Sequence, residues 1–125
     1  MKNLDEQIAD IKGYSYQLWQ YARGHSELTI RGMHDEKKGH NIHITFLNVQ
    51  YFQFPLEWTG DLYPASDEEL LNTLRQTRFG NVADKTSVEI LKKMYSLYIA
   101  DSSNGRIYVL GRLIKIEYDV EPFYD

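Results

Sequence analysis

The first regular pattern in the chain is helical. Leu4, Ile8, Ile11, Leu18 and Ala22 recur at helical spacing on one face, with Tyr14 and Tyr21 widening the stripe. Asn3 followed by Glu6 three residues later makes a capping box, and Gly24 is a natural stop. The spacing predicts one helix over 4–23. Gly13 is its interior weak point, costing about 1 kcal/mol against Ala.

The pattern then changes period. Residues 26–34 and 40–49 both have strand character, and the polar stretch 35–39 ends in Gly39. Placing His34 opposite His40 puts Leu28 opposite Phe46, Ile30 opposite Ile44 and Gly32 opposite Ile42. The other face then pairs Thr29 with Thr45 and Arg31 with His43. One face is apolar and the other polar, and a one-residue slip would exchange them, so the pattern sets the register. The apolar face is where the first helix is expected to pack.

Past Asn48 the alternation blurs, because residues 49–54 are apolar on both sides. A bulge near Asn48, or a strand covered on both faces, accounts for that. Pro55 ends or bends the strand, and residues 56–59 read as a short extended piece before the turn at Gly60-Asp61. Ser66 with Glu69 opens a short helix through about residue 76, with Leu70, Leu71 and Leu74 inward. Phe79-Gly80-Asn81 breaks it. Thr86 with Glu89 suggests another short helix over 87–94. Residues 95–100 suit a helix or a strand equally well. Asn104-Gly105 is a hairpin turn pair leading into a long strand over 106–120. A bulge at Gly111-Arg112 would bring Ile107 and Val109 to the same side as Ile114, Ile116, Tyr118 and Val120.

Strands and helices are segregated, which predicts an α+β fold. An N-terminal helix packs on an antiparallel, curved sheet built from two hairpins, with one or two short helices between them. A barrel-like, β-rich domain with flanking helices is the alternative. Neither a repeat nor a linker divides residues 1–125, so a single globular domain is expected.

Composition narrows the function classes. The absence of cysteine excludes thiolate metal sites, thiol nucleophiles and disulfides. A net charge of -4 argues against electrostatic nucleic-acid binding. The basic middle (Arg75, Arg78, Lys85, Lys92, Lys93) is interleaved with Glu68, Glu69, Asp84 and Glu89, as on an ion-paired helix surface. No apolar run approaches the roughly 18 residues of a membrane span, and the N-terminal residues lack a secretory apolar core. A cytoplasmic protein without membrane contact is the expectation, and no cofactor is implied. Glycine-rich phosphate loops, a dinucleotide fingerprint, a nucleophile elbow and HExxH are all missing from the sequence.

Ten tyrosines turn attention to aromatic binding surfaces. Tyr51, Trp58 and Tyr63 are the candidates for a group facing a partner. Arg31 and His43, on the polar face of the first hairpin, are candidate binding or acid–base groups, set against a plain solvated strand face. His34 and His40 with Asp35 or Glu36 would make a two-histidine, one-carboxylate metal set, but a polar hairpin tip explains them without a metal. The leading reading is a non-catalytic module that binds a protein partner or a second copy of itself. The alternative is a small-ligand-binding domain or small enzyme with an aromatic-lined pocket.

Overall fold

The computed structural model describes residues 2–34, 41–77, 80–103 and 105–118. The chain runs α1 (Leu4–Asp10), β1 (Ser15–Ala22), a 3-10 turn (Arg23–His25), β2 (Glu27–Met33), β3 (Ile42–Gln53), β4 (Glu57–Thr59) and β5 (Tyr63–Pro64). It continues through α2 (Asp67–Arg75), α3 (Gly80–Lys85), α4 (Val88–Met94), β6 (Ser96–Ser102) and β7 (Gly105–Tyr118). The described strands form one curled antiparallel sheet in the order β4-β1-β2-β3-β7-β6-β5. The α+β class and the curved sheet are as the sequence predicts.

The helix over 4–23 needs correction. Asn3 does cap α1, its side chain accepting from the Glu6 N–H at 2.8 Å. The helix nevertheless ends at Asp10, and β1 begins at Ser15. Gly13 makes the break, at φ +78°, with its N–H donating to Asp61 Oδ1 at 2.9 Å. Beyond it Tyr14, Tyr16 and Leu18 alternate with Ser15 and Gln17. This is a strand period that the helical spacing of Leu18 and Ala22 masked.

The β2–β3 register is as predicted at all five pairs: Leu28–Phe46, Thr29–Thr45, Ile30–Ile44, Arg31–His43 and Gly32–Ile42. The pairing of His34 with His40 lies outside the described residues. Asn48 sits at φ 51° inside a register shift between Leu47 and Tyr51, the expected bulge. The β7 bulge falls later than Gly111-Arg112. Phe46 pairs with Leu113 while Thr45 pairs with Lys115. Its effect is the expected one, since Ile107, Val109 and Ile116 all meet the same core. Residues 95–100 resolve as strand from Ser96, with Tyr95 ending α4. Gly80, read as part of a break, opens the additional helix α3.

The inner face of the sheet holds the main core. Ile8 of α1 and its C-cap Ile11 pack there with Leu28, Ile30, Ile42, Ile44, Phe46, Tyr98 and Val109. Tyr98 OH ties β6 to α1 by donating to Asp5 Oδ1 at 2.5 Å. The two edge strands are joined by residues 60–62, so the segment from β4 to β5 straps the open side of the curl. Leu62 plugs it from within, 1% exposed. Gly60 permits the strap's approach, because a Cβ there would stand 2.6 Å from the Asp101 carbonyl oxygen. A second core lies on the outer face at one end only. There Leu70, Leu74 and Leu91 of α2 and α4 cover Leu97, Ile99 and Leu110.

Candidate functional site

The outer face of β1–β2–β3 carries polar side chains, and α2 and α4 pack on the other end of the sheet. Across it Glu57, Gln17, Arg31, His43 and Glu117 form one row, and Gln20, Thr29, Thr45 and Lys115 the next. The Thr29 and Thr45 hydroxyls approach to 3.4 Å. Arg31 and His43 were expected on a solvated face, and the structure corrects this. Arg31 is 5% exposed, His43 8% and Thr45 2%.

Trp19 is part of the cover. It is the extra residue of β1 where the pairing to β2 shifts between Leu18 and Gln20. Its indole stacks over Arg31, with the guanidinium carbon 4.4 Å from the ring centroid, and its centroid lies 5.5 Å from that of His43. Under this cover Arg31 Nε and His43 Nε2 are sealed from solvent without a hydrogen-bond partner. Burial holds the His43 imidazole below its ordinary pKa. The Arg31 and Lys115 charges add to that effect, and Glu117 opposes it. Sequence reading missed Trp19 because it assigned residue 19 to a helix.

The same outer face becomes concave further along. Tyr51 and Gln53 of β3, Tyr108 of β7, Glu69, Asn72 and Thr73 of α2, and its C-cap Gln76 line an open cleft of about 430 Å³. The Tyr51 and Tyr108 rings lie 6.5 Å apart, and Tyr51 OH donates to Gln53 Oε1 at 2.5 Å. Glu69 is held from two sides. Its backbone N–H donates to Ser66 Oγ at 3.2 Å, and Arg106 Nη1 donates to its carboxylate at 2.9 Å. Arg106 also reaches Asp101 at 3.2 Å. Tyr63 joins this network at the rim, donating to Asp101 Oδ2 at 3.1 Å. Desolvation, with the Asp101 hydrogen bond behind it, raises the pKa of its phenol.

Of the three aromatic candidates, Tyr51 lines the cleft, Tyr63 stands beside it, and Trp58 is elsewhere. Pairing of β4 with β1 sets Trp58 opposite Tyr16 on the inner face. It is 4% exposed, with ring centroids 5.2 Å from Tyr16 and 4.9 Å from Phe54. It is a core residue, not a partner-facing one. Tyr108, Asn72 and Gln76 were not singled out from sequence. Only the docking of α2 on the sheet brings them to Tyr51.

The metal candidates are not brought together among the described residues. His34 packs edge-on to Tyr14 with centroids 5.1 Å apart, while His40 and Asp35 lie outside those residues. No group of three or more His, Asp or Glu side chains there is placed to hold a metal ion. No helix among the described residues is long and apolar enough to cross a membrane. No protein family, curated protein or solved structure matches the chain.

Proposed function

We propose that this domain is a non-catalytic binding module that holds a segment of a partner protein in the cleft between α2 and the sheet. The observation that carries the reading is the lining of that cleft. Two tyrosines supply stiff apolar area with polar tips, and Gln53, Asn72 and Gln76 supply side-chain amides. An amide presents both donors and an acceptor, which matches the peptide groups of an extended segment. The cleft is open to solvent, so a segment of a partner can enter it. Glu69, fixed by Ser66 and Arg106, gives the site one negative wall suited to a basic or hydroxyl side chain. A cytoplasmic setting belongs to this reading, and a chain without cysteine suits a reducing compartment.

Selection of binders from a displayed random-peptide library, followed by amide NMR mapping, tests the proposal. The expected result is peptides whose binding shifts Tyr51, Asn72 and Gln76, and weakens at least tenfold in Tyr51→Ala while the fold is retained. Peptides that map elsewhere and ignore Tyr51→Ala would overturn it. Binding of small metabolites in the cleft, with no peptide selected, would replace it with the small-ligand reading.

A further inference from the structure

We infer that the outer face of β1–β2–β3 is a site for an oxyanion, the carboxylate or phosphate group of a ligand, bound between Arg31 and His43 beneath Trp19. The site is separate from the cleft and stands or falls without it.

The argument begins with cost. A buried polar group without a hydrogen bond costs about 1–3 kcal/mol, and native proteins carry few of them. Of the three among the described residues, Trp58 Nε1 lies in the inner core, and the other two, Arg31 Nε and His43 Nε2, belong to direct cross-strand neighbours. Both residues are more than nine-tenths buried, at 5% and 8% exposure. Both nitrogens donate, Arg31 Nε always and His43 Nε2 in its N–H tautomer or when protonated. Two neighbouring buried donors that lack an acceptor are complementary to an anion, and an arginine beside a neutral or charged imidazole binds oxyanions with charge-assisted hydrogen bonds.

Of the described charges that act on His43, Arg31 and Lys115 stand against Glu117, which pairs with Lys115 at 3.5 Å, while Glu57 ends the same cross-strand row beyond Gln17 and Glu27 shares this face of β2. The Thr29 and Thr45 hydroxyls of the next row bond each other, which leaves one hydroxyl proton between them to donate. Trp19 sits at the β1 bulge, where the ladder to β2 is interrupted, and β4 pairs with β1 only from Ser15 to Gln17. On this inference the indole shifts from the Arg31 guanidinium, 4.4 Å below it, as the anion enters. Anion binding then trades the Arg31–Trp19 stack for an ion pair.

Inorganic phosphate and acetate are the probes, each titrated at constant ionic strength made up with chloride and followed by nitrogen-15 NMR of the side chains. The expected result is a saturable movement of the Trp19 indole and His43 imidazole signals, with the buried Trp58 indole as an unmoved internal control. A bound anion favours the imidazolium, so the pKa of His43 rises by about one unit at saturation. Arg31→Met weakens binding at least tenfold. A stronger response to phosphate identifies a phosphate group as the natural moiety, and a stronger response to acetate a carboxylate. Signals that move linearly, that move equally with chloride alone, or that saturate unchanged in Arg31→Met would overturn the inference. Should Trp19 assignment by Trp19→Phe perturb the fold, the His43 titration in the unmodified chain decides alone.

Discussion

The two ends of the sheet's outer face share strands but solve burial in different ways. At the β6–β7 end, α2 and α4 lie on the sheet, and the residues beneath them are Leu97, Ile99 and Leu110. At the β2–β3 end the corresponding positions are Thr29, Arg31, His43 and Thr45. Yet Arg31, His43 and Thr45 are almost as inaccessible as the leucines. Apolar burial under a helix stabilises directly, at roughly 25 cal/mol per Å². Burying a guanidinium and an imidazole with unmet donors costs stability, so that arrangement calls for a reason other than folding. The contrast therefore separates a face that holds the fold together from one prepared for a ligand.

The sharpest break of the comparison is a truncation at the covered end. Leu74→Ala, at a side chain with no exposure, is expected to lose about 3 kcal/mol in urea unfolding. A loss under about 1 kcal/mol would mean that α2 packs loosely and that this end is no more a structural core than the other.

A smaller effect follows at the start of that covering helix. Ser66 caps α2 and accepts from the Glu69 N–H. Ser66→Ala should cost about 1 kcal/mol by urea midpoint. It should also loosen Glu69, weakening peptide binding in the cleft without altering the phosphate response of the other site.

The pH dependence is smaller again and belongs to the polar end alone. His43 titrates below its unfolded value of about 6.5 in the folded chain. As pH falls, the unfolded state takes up the proton first. The stability associated with neutral His43 is thus complete above about 6.5, declines as pH drops toward the folded pKa, and levels off below it. Comparing urea midpoints of the unmodified chain and His43→Gln from pH 7.5 to 5 should show a flatter acid limb in the variant. Parallel limbs would show that His43 does not titrate in a desolvated setting.

How much of this was readable beforehand depended on whether a residue's role was local. The β2–β3 register was legible in full, because Leu28, Ile30, Phe46 and Ile44 fall on one face and polar residues on the other. The pairing of Arg31 with His43 came with it. Their burial did not, because Trp19 is part of the cover, and Trp19 reaches them only if residues 15–22 form a strand. Leu18 and Ala22 continue the helical spacing of Leu4 and Ile8, so the period alone could not expose the break at Gly13. Trp58 shows the same limit. Its neighbourhood of aromatics suited a surface or a core equally, and only the pairing of β4 with β1 places it against Tyr16. The cleft around Tyr51 likewise needs α2, distant in sequence, to form its other wall.

The most direct test of the central claim, that the polar end is buried for binding and not for stability, is the urea stability of Arg31→Met measured beside its phosphate titration. Replacing a buried charge with an apolar side chain of similar length should leave stability within about 1 kcal/mol of the unmodified chain, or raise it, while the saturable phosphate response of His43 disappears. A loss of about 3 kcal/mol or more with the phosphate response intact would contradict the account, and would make Arg31 a structural residue of the sheet.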